Sequence, residues 1–229
     1  MKTLGLIGGS SWVSTVDYYS YINKLTNERL GALNHAQMLL YSINMQDLKN
    51  LSDTGDWDRV GDFFSGIAKK LESAGAEAIL LCANTPHITA PKVRANINIP
   101  LIHIAEETAK EICRHNLDKV ALLGTKYTME HHFYPYILAA SGIETLTPDA
   151  DDREFIHWSI YAELGKNILT EETRNRYVDI ISKLQAQGAQ GVILGCTEIP
   201  LLIKPENSPI ITFDTTYIHS KAAVDFALS

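Results

Sequence analysis

The segment "KLESAGAEAILLCANTPH" at residues 70–87 lies over "KLQAQGAQGVILGCTEIP" at residues 183–200 with a constant offset of 113 residues, 183 minus 70. Lys70 matches Lys183, Leu71 matches Leu184, Gly75 matches Gly188 and Ala76 matches Ala189. Such a repeat constrains the fold strongly, because both copies must build the same supersecondary unit. Each copy reads as the end of a helix, a glycine stop, a buried apolar strand and a polar turn. Other fragments recur in the same order: "LIGGSSWVST" near the start resembles "LLGTKYTME" at 122–130, and "IPLIHIA" from 99 resembles "SPIITFD" from 208. The chain is therefore expected to form two similar parallel-sheet α/β halves, residues 1–104 and 105–210, with 211–229 packing on the first. A pseudo-twofold relation between them is expected to put the active site between the halves, with two related turns on opposite sides of one ligand.

Seven short apolar runs alternate with helical patterns: "TLGLIGG", "QMLLYSI", "EAILLCA", "PLIHIA", "KVALLGT", "QGVILGC" and "PIITFD". Alternation of strand and helix predicts mainly parallel sheets covered by helices. Ligands of such sheets sit beyond the carboxyl ends of the strands, so the residues just after each run are the candidates for chemistry.

Charge narrows the ligand. The net charge is −7, and the 20 Lys and Arg are scattered rather than gathered in a stripe, which argues against nucleic acid or an anionic membrane and for a small molecule. No apolar run is long enough to span a bilayer, and "MKTLGLIGGSS" enters strand and turn directly, so a cytoplasmic location is expected. Cys82, Cys113 and Cys196 form no CxxC, and His131 and His132 are adjacent, poor spacing for metal ligands on a helix, so free thiols and no metal are expected. The glycines of "LIGGSS" do not complete GxGxxG and no Walker lysine follows, so no dissociable cofactor is expected.

"CANTPH" and "GCTEIP" bring Cys, Asn, Thr and Glu to the junction of a strand and a helix, where exposed N–H groups favour carboxylates. A thiol there is expected to ionise more easily than a free one, and Cys196 to alkylate faster than Cys113. The competing reading is that Cys82 and Cys196 are small core hydrophobes. Neighbouring side chains of a strand point to opposite faces, which directs Cys82 into packing unless a bulge re-aims it. Thr128 fits equally a helix-start hydroxyl satisfying its own backbone.

"GLIGGSSWVSTVDYY", "CANTPH", "LLGTKYTMEHHFY" and "GVILGCTEIPLL" together resemble the aspartate/glutamate racemase family, within the aspartate, glutamate and hydantoin racemase superfamily, from residue 3 to about residue 217. The resemblance implies a cofactor-independent, often dimeric, amino-acid racemase in which two cysteines serve opposite faces of the substrate Cα. One removes the α-proton and the other returns one. It implies Cys196 as a catalytic thiol, with Thr197 and Glu198 beside the substrate. Asn84 and Thr85 match the pair that grips the α-carboxylate. Ser10 and Ser11 stand in the amino-terminal turn with Gly9, Thr125 and Thr128 take the equivalent places in the second half, and His87 is expected to support the turn from behind. A homodimer is implied as well.

Two departures bear on function. The family's first cysteine stands immediately before Asn-Thr, and that place is Ala83 here; the internal offset agrees, since 196 minus 113 is 83. Cys82 is one residue away and is carried as a second catalytic candidate. "YSINMQDLKN" shows no arginine for a side-chain carboxylate, and Lys166 in "YAELGKNIL" is off the usual register by about one residue, so a substrate other than Asp or Glu is open. Three activities remain: a racemase with Cys196 on one face, single-cysteine chemistry like that of arylmalonate decarboxylases, and an inactive paralogue that binds a carboxylate.

Overall fold

A computed structural model describes all 229 residues, in two compact units: residues 1–104 with 219–229, and residues 105–218. The first unit runs β1 (Leu4–Gly8), α1 (Trp12–Leu30), β2 (Met38–Ser42), α2 (Met45–Ser52), α3 (Trp57–Ser73), β3 (Ala78–Leu81), α4 (Ala90–Arg94) and β4 (Leu101–Ile102). The second runs α5 (Ile104–Arg114), β5 (Lys119–Gly124), α6 (Lys126–Glu130), α7 (Phe133–Ala140), β6 (Glu144–Leu146), α8 (Ala150–Ala162), α9 (Glu171–Ala186), β7 (Gly191–Gly195), α10 (Ile199–Leu202) and β8 (Ile211–Asp214). Then α11 (Thr215–Ala227) returns the chain to the first unit. No helix is long and apolar enough to cross a membrane.

The two sheets have the same plan. Their strand orders are β2-β1-β3-β4 and β6-β5-β7-β8, all parallel. The repeat read from the sequence is repeated in backbone geometry. Gly75 and Gly188 both have φ +99°, a conformation glycine adopts at little cost, and each closes a Schellman cap. Ala76 N–H donates to Leu71 O and Ala189 N–H to Leu184 O, both at 3.0 Å, so α3 and α9 stop at equivalent places and launch β3 and β7 identically.

Side-chain parity then sorts the core. In the first unit Ala78, Leu80 and Cys82 face one cluster with Tyr18, Ile22 and Val224, while Ile79 and Leu81 face another with Phe64 and Ile67. In the second, Val192, Leu194 and Cys196 face Ile156, Tyr177 and Ile180, and Ile193 faces the opposite cluster with Ile112 and Tyr134. Burying each Leu, Ile or Phe on both faces contributes about 1.5–3 kcal/mol, which is why these strands read as apolar throughout.

Two details differ from the sequence reading. Residues 211–229 were expected to pack together on the first half, but Ile211–Asp214 pairs with β7 as the edge of the second sheet, and the chain returns to the first unit only at His219. The strand β6 is three residues, Glu-Thr-Leu, too short and polar to show as an apolar run.

Candidate active site

In the second unit β5 and β7 end in register at Gly124 and Gly195. Their lack of side chains lets the strand ends and α6 close up: a Cβ built on Gly195 would lie 2.7 Å from Leu123 O and 3.3 Å from Thr128 Cγ2. Thr128 therefore packs against the residue that precedes Cys196. Thr125 caps α6, its Oγ1 accepting the Thr128 N–H at 3.2 Å and lying 3.2 Å from Thr128 Oγ1. The sequence grouped these two threonines, and the capping role is the one their hydrogen bonds display.

Cys196 follows directly from β7 and is 7% exposed. Its Sγ donates to Glu198 Oε2 at 2.8 Å, and Thr197 Oγ1 donates to the same oxygen at 3.0 Å. Thr197 and Glu198 are themselves buried. This corrects one expectation: the thiol does not ionise readily. Burial, reinforced by the Glu198 carboxylate, pushes its pKa well above the ordinary value. The Thr197 and Glu198 backbone N–H groups do favour the thiolate, as the turn position predicts, but they are outweighed. Glu198, expected from the sequence to contact the substrate, accepts the hydrogen bond of the thiol.

In the first unit β1 and β3 are neighbours with Ile7 opposite Leu81, so the turns that follow them start side by side. Gly9 has φ +89° and lies so close to the Ile43 backbone that a Cβ would collide with it. Its N–H donates to Thr15 Oγ1 at 2.9 Å, and that hydroxyl donates to Ser11 O at 2.7 Å. Ser11 caps α1 through Ser14 N–H at 3.4 Å, while Ser10 beside it is half-buried. In the neighbouring turn Asn84 is buried and Thr85 half-buried. Cys82 continues the parity of Ala78 and Leu80 into the apolar cluster, its N–H donates to Ile7 O at 2.9 Å, and burial alone pushes its thiol far up. No bulge re-aims it. Ala83 follows it, half-buried, at the repeat position of Cys196, which shares a cluster with Val192 and Leu194.

His87 is fully used by the backbone. Its Nδ1–H donates to Ala83 O at 2.9 Å and its Nε2 accepts the Ile104 N–H at 3.3 Å, a tautomer fixed because a carbonyl only accepts and an amide only donates. It thereby holds the turn that bears Ala83 and Asn84. Around it lie residues the sequence did not single out: the His103 ring at 4.6 Å and the His219 ring at 5.5 Å between centroids. His219 donates from Nε2 to Ile102 O at 2.9 Å and accepts the Tyr18 hydroxyl at Nδ1, 2.8 Å. The only sequence signal was a histidine inside each apolar stretch, "PLIHIA" and "TYIHSKAA". Lys166 is exposed in a short 3-10 turn.

A family model described as Asp/Glu/Hydantoin racemase matches residues 7–223. The broad specificity amino-acid racemase RacX of Bacillus subtilis (strain 168) is 24% identical over 234 residues, covering 99% of this chain and 98% of that protein. Among solved structures, one described as a "putative Asp/Glu Racemase from Yersinia pestis" is 46% identical with a TM-score of 0.94, each chain covered fully at 100%. An aspartate racemase homologue from Pyrococcus horikoshii OT3 is 33% identical with a TM-score of 0.88, again over 100% of both chains.

Proposed function

This chain belongs to the Asp/Glu/hydantoin racemase family, and on that premise we propose that it is an amino-acid racemase, working without a dissociable cofactor, in which Cys196 moves the Cα proton on one substrate face. The observation that carries this is the 2.8 Å hydrogen bond from Cys196 Sγ to the buried Glu198 carboxylate. The thiol rests protonated. Passing its proton to Glu198 leaves the pair's net charge unchanged, so a thiolate can be generated without adding charge to a buried site. A thiolate with a raised pKa is the stronger base toward a weakly acidic C–H, and the same thiol, reprotonated, is a ready acid for the carbanion. Asn84, Thr85, Ser10, Ser11, Thr125, Thr128 and Thr197 supply donors for the substrate's polar groups.

Ala83 gives the activity its hand. It holds the repeat position of Cys196 but has no acidic proton, and Cys82 is committed to packing, so one face of the substrate has a thiol and the other must rely on water or a hydroxyl. The same observation favours a second reading, single-thiol protonation of an enolate. A decarboxylase of that kind releases carbon dioxide from its substrate, whereas the racemase exchanges Cα–H without loss of carbon. The relative named for broad specificity, with the absence of an arginine from "YSINMQDLKN", supports a substrate range beyond Asp and Glu.

Cα–H exchange in deuterium oxide over the L- and D-amino acids tests the proposal. Cys196→Ser should lose at least about a hundredfold, the usual contribution of a positioned acid/base group. Exchange at the wild-type rate in that variant excludes Cys196 as proton carrier.

A further inference from the structure

One flank of α1 has no partner within the chain. Trp12, Val16, Tyr19 and Leu30 stand at i, i+4, i+7 and i+18, the same side of a helix, and all four are exposed, Trp12 by 71% and Tyr19 by 59%. None of the four charged residues of α1 stands on this row. Two contacts fix where the row looks. Asn23, at i+11 on the same side, accepts the Ala36 N–H at 3.2 Å, just before β2 begins. Thr15 and Leu40 meet over Gly8, where an added Cβ would lie 2.5 Å from Thr15 Cγ2 and 3.1 Å from Leu40 Cδ1. The row therefore flanks β2.

Strand β2 is the outer strand of the first sheet, with β1 as its only neighbour. Leu40 and Tyr41 point to opposite faces of the sheet, and both are exposed. Ile43 N–H donates to Gly8 O at 2.9 Å, so by the alternation of a strand the N–H groups of Leu40 and Ser42 point away from β1, to the open edge. Natural sheets guard such an edge with charge or proline. Met38–Ser42 carries neither.

We infer that a second copy of this chain covers this face, in a twofold dimer made by the α1 flank and the outer edge of β2, with the two β2 strands antiparallel. The inference is independent of the racemase reading. An identical edge offers the N–H and C=O groups that an open edge lacks, and a twofold axis brings like edges together antiparallel. The area suffices. With about 150–250 Å² on a whole aromatic side chain, the six exposed side chains leave about 600 Å² in water per chain. Two copies then bury about 1,200 Å² or more, the size of a specific interface. Charge also favours this face: at a net charge of −7 two copies repel each other, and they approach most easily through uncharged surface.

The test is sedimentation velocity with amide hydrogen exchange on the full chain. Wild type should run as a dimer with the Leu40 and Ser42 amides protected. Val16→Arg and Leu40→Lys each place an unpaired charge in the contact and should raise the dimer Kd at least about a hundredfold, freeing those amides. Tyr136→Arg, a comparable change at an exposed position of α7, should leave the dimer intact. Circular dichroism and urea midpoints at wild-type values show that each variant folds. A wild type that is monomeric at every concentration overturns the inference and leaves the face to a different protein. A dimer that survives both substitutions, or that Tyr136→Arg also breaks, overturns it as well. Fast exchange of the Leu40 and Ser42 amides in a wild-type dimer overturns it without any variant.

Discussion

At the scale of single residues, the three cysteines have three different fates. Cys113 is exposed, whereas Cys82 and Cys196 are buried. Alkylation requires the thiolate and access to it, so iodoacetamide should modify Cys113 first, the reverse of the order expected from the turn position alone. Glu198→Gln removes the carboxylate that helps hold the Cys196 proton. It should speed alkylation of Cys196 while slowing Cα–H exchange, measured by peptide mass mapping and by exchange on the same samples. Unchanged alkylation together with unchanged exchange in that variant would mean that Glu198 neither holds nor accepts the Cys196 proton. Cys82 offers the opposite contrast. Cys82→Ala should cost about 1 kcal/mol in urea unfolding, a small buried side chain's worth, with kcat/KM unchanged.

At the scale of elements, the ends of β3 and β4 and the return helix α11 are joined by the buried imidazoles of His87, His103 and His219 with Tyr18. Burial lowers the His219 pKa to about 4 from 6.5, with the His103 charge acting in the same direction, and His87 is lowered well below its ordinary value chiefly by burial. Folding thus favours the neutral forms of His87 and His219. The stability they contribute is complete above pH 6.5 and is lost as pH falls toward 4, because the unfolded chain takes up protons the folded one refuses. For His219 the loss amounts to about 3 kcal/mol across that window, and His87 adds to it with the same sign. Urea midpoints at pH 7, 6, 5 and 4 should fall accordingly, and His219→Asn should flatten the slope; a midpoint independent of pH over this range would contradict the buried neutral network. None of this was visible in the sequence, because His87, His103 and His219 are brought together only by tertiary folding.

At the scale of the whole molecule, the plan was legible because it is written twice. The offset of 113 residues carries Gly75 onto Gly188, and two identical helix stops launch two identical central strands. The places of Cys196, Thr197 and Glu198 followed from the same pattern, since a polar run directly after an apolar parallel strand marks the strand's carboxyl end, although their burial did not. Protonation was not legible. Turn position argues for an easily ionised thiol, and only the burial of Cys196 and the aim of Glu198 reverse it. Nor was the edge strand β6, whose three residues carry no apolar pattern. What the duplication lacks is a second thiol, and that asymmetry is the centre of the functional proposal. It is tested most directly by following Cα–H exchange and inversion together, by NMR and chiral chromatography in deuterium oxide, for wild type and Ala83→Cys acting on one amino acid. Wild type should exchange one enantiomer fast and the other slowly or not at all, and Ala83→Cys should raise interconversion about ten- to a thousandfold. Equal, fast interconversion of both enantiomers by wild type, with no gain in Ala83→Cys, would contradict a one-thiol site.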